Sequence, residues 1–115
     1  MTDFERLKAA IIQFRDDRDW AQFHDPKNLA AALSIEAAEM QELFLWQSND
    51  ASRRPGAADR QRVAEEAADI FIFLTYLCHA LNIDLLSAVE RKIVINGEKY
   101  PVAKARGSSI KYTEL

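Results

Sequence analysis

Cysteine, glycine and proline are nearly missing from this chain. Of its 115 residues, one is cysteine, three are glycine and three are proline. The single thiol, Cys78, excludes an intramolecular disulfide framework and fits a reducing compartment, so a cytoplasmic protein is expected. Basic excess is missing too. A net charge of -3 speaks against a binder of polymeric nucleic acid, which carries a basic stripe, although a local cluster can still bind a phosphorylated small molecule. Long apolar runs are absent. The longest, residues 70–78, falls far short of the roughly 20 residues that span a bilayer, so no membrane partner is expected. The opening "MTDFERLKAA" is charged and has no apolar signal core.

What remains is one domain's worth of chain, residues 1–115, with helical periodicity almost throughout. Four amphipathic helices use nearly all of it. The first follows Thr2 or Asp3, where Thr2 and Glu5 have capping-box spacing, and it carries the stripe Phe4, Leu7, Ile11, Phe14 and Arg18. "DWAQFHDPKN" interrupts the pattern. Asp25 before Pro26 marks the second helix, which should run to about residue 47. "SNDASRRPGAAD" reads as a loop. The third helix is expected from about residue 59 to about residue 81. Its second half, "IFIFLTYLCHAL", is apolar on every side, and a helix apolar all round is buried all round. A four-helix monomer cannot cover it fully, which predicts an oligomer. Asp84 is positioned to cap a fourth helix ending near residue 100, although "IVING" is poor helix sequence. The tail from Val102 onward reads as irregular. The expected fold is an all-α, up-and-down bundle of four helices, oligomeric.

Two seams hold the chemistry. On the second helix Leu29, Leu33, Glu36, Met40 and Leu43 are spaced 4, 3, 4, 3. Glu36 sits in the middle of that seam, and Glu39 lies only ~60° around the helix from it. On the third helix Val63, Glu66, Ile70, Leu74 and Leu77 repeat the pattern, with Asp69 flanking Glu66. Four buried carboxylates cannot all stay ionised unaided, because isolated buried charge is costly and like charges raise one another's pKa. They must protonate or bind a cation. An all-oxygen donor set suits Mg²⁺, with Mn²⁺ as substitute. The absence of Glu-x-x-His pairs speaks against a di-iron bundle. A lone Glu-x-x-Glu is ordinarily a solvated helix face, and Glu42 and Glu65 are read that way. Placement within apolar seams on two consecutive helices separates Glu36 and Glu66 from that ordinary case.

Glu36-x-x-Glu39 followed by Glu66-x-x-Asp69 resembles the all-α nucleotide pyrophosphohydrolases of the MazG type. The stretches "RDDRDWAQFHDPKNLAAAL", "ELFLWQS", "EEAADIFIFL", "KIVINGEKYPV" and "ARGSSIKYTEL" resemble the dCTP pyrophosphatase branch and extend the likeness over nearly the whole chain. The resemblance implies hydrolysis of a nucleoside triphosphate between its α and β phosphates, in the role of clearing unwanted nucleotides. It implies Mg²⁺ on Glu36, Glu39, Glu66 and Asp69, which are also the catalytic residues, and homodimers or homotetramers.

The resemblance also assigns residues to the substrate. Lys92, Asn96 and Lys99 share a helix face and would grip the phosphates; Arg106 and Lys111 are weaker candidates. Trp20 and Trp46 would stack on the base, His24 and Asn28 would bond base or sugar, and Tyr100 would pack on the deoxyribose. Without it, two isolated tryptophans would read as core or contact residues. His79 and Cys78 read as structural. The alternative function is a non-catalytic helical oligomerisation or regulatory module, disfavoured because interface cores are depleted of charge.

Overall fold

The computed structural model describes all 115 residues, which form helices and no strands. Two compact units divide the chain, Met1–Asn82 and Ile83–Leu115. The first contains α1 (Asp3–Asp17), a 3-10 turn (Ala21–Phe23), α2 (Pro26–Phe44), the one-turn α3 (Asn49–Ser52) and α4 (Ala57–Ala80). The second contains α5 (Leu85–Lys99), the short α6 (Val102–Ala105) and a closing 3-10 turn (Tyr112–Glu114).

The helix starts follow from local chemistry. Thr2 and Glu5 form the expected capping box, with Thr2 N–H donating to Glu5 at 2.8 Å and Glu5 N–H donating to the Thr2 hydroxyl at 3.1 Å. Pro26 opens α2 after Asp25, but Asp25 makes no side-chain cap bond. Asp84 caps α5 by accepting from Ser87 N–H at 3.1 Å. Three boundaries differ from expectation. The second helix stops at Phe44, so Trp46 lies beyond it. The loop after it contains α3, because Ser48 caps the turn by accepting from Ala51 N–H. The tail also contains structure: α6, which starts directly after Pro101, and the last 3-10 turn, which follows Lys111.

In the first unit α2 packs chiefly on α4, and α1 packs on α4. The two predicted seams are the contact: Leu29 is buried, and Leu33, Met40, Leu43, Val63, Ile70, Leu74 and Leu77 are half-buried. Tyr76 of α4 is buried and donates its hydroxyl to Ile11 O of α1 at 3.2 Å, tying the two helices together. Thr75, also buried, satisfies its hydroxyl on Phe71 O at 2.8 Å. The apolar half of α4 is incompletely covered within one chain: Phe71 remains exposed, as does Leu81 just past the helix end. No single helix is long and apolar enough to cross a membrane.

Candidate active site

Helical spacing brings the acids together. Glu36 and Glu39 stand one turn apart on α2, Glu66 and Asp69 one turn apart on α4, and the seam contact turns the pairs toward each other. One carboxylate oxygen from each of Glu36, Glu39 and Glu66 lies within 4.8 Å of the others. Asp69 stands outside that trio, close enough that its charge acts on Glu36. None of the chain's ion pairs reaches any of the four.

Glu36 and Glu66 are half-buried, and Oε2 of each is sealed from solvent without a hydrogen-bond partner. Glu39 and Asp69 are exposed. Burial pushes the Glu36 carboxyl up to about 7, helped by the close approach of the Glu66 and Glu39 carboxyls and by the charges of Glu39 and Asp69. Buried carboxylate oxygens that face each other without a donor are costly. A hard divalent cation fits this arrangement, because it supplies the missing partner to every orphaned oxygen and reverses the repulsion.

Beside the acids lies a cavity of about 370 Å³. Leu7, Ile11 and Phe14 of α1 line one side, Ile72, Phe73 and Tyr76 of α4 another, and Trp20 and His24 come from the connector. Its one carboxylate is Asp69, which links it to the acidic cluster. The aromatic wall is interlocked: Trp20 meets Phe14 edge-on at 5.8 Å, and the His24 ring lies 4.5 Å from Tyr76. Burial, and then the charge of Arg15, lower the His24 pKa, so at pH 7 it is the neutral imidazole. Its Nδ1 is sealed from solvent without a partner.

The other residues expected to meet substrate are placed as follows. Asn28 donates to Phe23 O at 3.4 Å, holding the 3-10 turn to the start of α2. Trp46 is 92% exposed and does not line the cavity. In the second unit Lys92 and Asn96 are exposed on α5. Lys99 holds its ammonium 4.7 Å over the Tyr112 ring, and Tyr100 meets Tyr112 edge-on at 5.9 Å. Cys78 is buried, with its thiol pushed up by that burial. Phe14, Ile11, Phe73 and Tyr76 were not among the expected site residues, because a stripe at helical spacing reads as core. The signal available was Trp20, an aromatic just past the end of that stripe.

Comparison with known proteins places the chain in a family. The model of the MazG-like family matches residues 31–115. dCTP pyrophosphatase 1 of Homo sapiens is 43% identical over 117 residues, an alignment spanning all of this chain and 67% of that protein. The dCTP pyrophosphatase 1 of Bos taurus is 41% identical over 117 residues, spanning all of this chain and 68% of that one. A crystal structure of a pyrophosphatase from Archaeoglobus fulgidus superposes with a TM-score of 0.78 at 40% identity, covering 88% of this chain and 94% of that one. The resemblance read from the acidic pairs and their flanking stretches is thereby borne out, and the chain belongs to the MazG-like family.

Proposed function

We infer that the chain is a Mg²⁺-dependent nucleotide pyrophosphohydrolase. It converts a nucleoside or deoxynucleoside triphosphate, dCTP or a related pyrimidine nucleotide, to the monophosphate and pyrophosphate. The observation that carries this reading is the trio Glu36, Glu39 and Glu66, two of them with sealed, unpartnered oxygens, beside an aromatic-walled cavity. The relatives' names supply the substrate class. In the cell this reaction clears unwanted nucleotides, and the lone thiol fits the cytoplasm. Residues 1–115 act as a single MazG-like domain.

Glu36, Glu39, Glu66 and Asp69 would hold the cation; Mn²⁺ shares their oxygen chemistry and would substitute. When bound, Mg²⁺ neutralises the acids and stabilises charge on the phosphoryl group and leaving pyrophosphate. Glu39, the solvent-exposed member of the trio, would be the carboxylate that accepts the proton of the attacking water. Glu36, whose carboxyl burial and its acidic neighbours push up, would bind the cation as the deprotonated carboxylate. Trp20 and His24 would receive the nucleoside in the cavity, the first by stacking and the second through its free ring nitrogen. Asn28 supports the turn that bears them. Lys92, Asn96 and Lys99 would neutralise the phosphates, with Trp46 and Tyr100 completing the substrate contacts.

The reading includes assembly into a homodimer or homotetramer. Ile93, at 66% exposure, and Val94, at 63%, lead an exposed apolar run on α5 that a second copy would cover. The test is to incubate the protein with Mg²⁺ and each common NTP and dNTP and to resolve the products by anion exchange. Monophosphate plus pyrophosphate, strongest with dCTP and abolished by EDTA, is the expected result. Diphosphate plus phosphate would overturn the cleavage position.

A further inference from the structure

The end of α1 is built in an uncommon way. Asp19 adopts φ 53°, the left-handed region that a non-glycine residue seldom occupies. Its N–H donates to Asp16 O at 3.1 Å, and Trp20 N–H donates to Arg15 O at 3.1 Å. Those two bonds, around a left-handed residue, are a Schellman cap, and its usual accompaniment is an apolar contact from the second residue past the cap back to the last turn. Here that contact is Trp20 against Phe14. The cap therefore reverses the chain and lays Trp20 on the aromatic ring that lines the cavity with it. Gln22 steadies Asp19, donating to its carbonyl at 3.0 Å and its carboxylate at 3.1 Å.

Arg18 completes the arrangement from outside the cavity. Its guanidinium donates to Phe14 O at 2.9 Å, filling a carbonyl that the helix end leaves open. The same group lies 3.5 Å over the Phe14 ring and 5.9 Å from the Trp20 ring. One planar cation thus holds both the backbone and the ring of Phe14, and contacts its aromatic neighbour as well. Arg18 makes no ion pair with a carboxylate. Its contacts are spent on this wall.

We propose that Arg18 is a positioning residue for nucleotide binding: it fixes the Phe14–Trp20 pair in the orientation that the nucleoside meets. This inference rests on reading the cavity as the nucleoside pocket. Arg18 lies outside the cavity lining and acts through the two rings. Its loss should weaken binding of substrate and transition state alike, which changes KM and spares kcat.

Two variants test it. Arg18→Met keeps the apolar stem and removes the planar cation; Arg18→Lys keeps a cation and loses the plane. Arg18→Met should raise KM for the preferred triphosphate about two- to five-fold, the worth of one such stack, with kcat unchanged and Tm only slightly lower. Arg18→Lys should recover part of that loss. With Trp46→Phe as background, Trp20 is the sole tryptophan. In that background, without nucleotide, Arg18→Met should make its fluorescence more open to acrylamide quenching. Unchanged KM, or unchanged quenching, overturns the proposal, as does a fall in kcat with KM constant. Trp20→Ala separates the two readings. If it raises KM and Arg18→Met does not, only the positioning role fails. If it leaves KM unchanged, the cavity is not the nucleoside pocket and both fail.

Discussion

Glu36 and Glu66 meet across the α2–α4 seam, each with one carboxylate oxygen sealed from water and unpartnered. Two helices that need apolar contact to associate carry, inside that contact, groups that repel. Something other than folding stability keeps them there, and a bound cation is the simplest account.

The first consequence concerns pH. Without metal, the Glu36 carboxyl titrates at about 7 in the folded chain, against an ordinary value of 4.5. Between those values the folded state holds a proton that the unfolded state has lost. Stability from this group is therefore fully present below about 4.5 and is lost as pH rises toward 7. Chelator-treated protein should show a Tm that falls through this window. Mg²⁺ should raise Tm more at its upper end than at its lower end, because the cation replaces the proton. Differential scanning fluorimetry across the window, with and without Mg²⁺, checks both; equal Mg²⁺ effects at both ends would speak against Glu36 as a ligand.

Replacing Glu36 by Gln makes opposite demands on stability and activity. The neutral amide removes the repulsion, so metal-free protein should melt at a higher temperature. Turnover should fall on the order of a hundred-fold or more, since even outer partners of metal ligands matter at up to that scale. Glu42→Gln, an exposed change on the same helix, should alter neither. A scaffold without catalysis would keep the stability gain and have no activity to lose, which distinguishes the regulatory-module alternative.

Burial sorts two large residues that look alike in sequence. Leu29 is 2% exposed, and Leu29→Ala should destabilise by about 2–5 kcal/mol. Trp46 is 92% exposed, and Trp46→Ala should change stability by less than about 0.5 kcal/mol. The proposed substrate role then shows only in KM. Urea denaturation alongside steady-state kinetics resolves the two; a large stability loss on removing Trp46 would mean that another chain packs over it.

Much of this was legible because helical spacing is a strong local signal. The capping box at Thr2 and Glu5, the seams through Glu36 and Glu66, and the proline start of α2 each follow from neighbours within a turn or two. The cavity was not legible. It forms where the stripe Leu7, Ile11 and Phe14 faces α4 without filling the space, and packing gaps between distant segments leave no periodic trace. Trp20 and Trp46 had equal claims in sequence. The Schellman cap turns the first onto Phe14, whereas the second lies beyond the end of α2, exposed and away from the cavity lining. The short helix after Ser48 was missed because one turn of helix has no measurable period.

The fourth long helix was the weakest expectation, since "IVING" combines β-branched residues with glycine, yet α5 runs unbroken through Gly97 to Lys99. A Cβ at Gly97 would meet nothing within 4 Å, and its backbone needs no left-handed conformation. Gly97→Ala should therefore stabilise the chain by about 0.5–1 kcal/mol, through higher helix propensity and a less disordered unfolded state. The midpoint of urea unfolding should rise with its slope unchanged. The same measurement bears on assembly. Exposed Ile93, Val94 and Ile95 precede Gly97 on the same helix. If alanine instead lowers stability, the open space beside Gly97 is filled by a second copy in solution. Light scattering on the wild type and the variant would then show the mass dropping toward the 13.1 kDa of one chain.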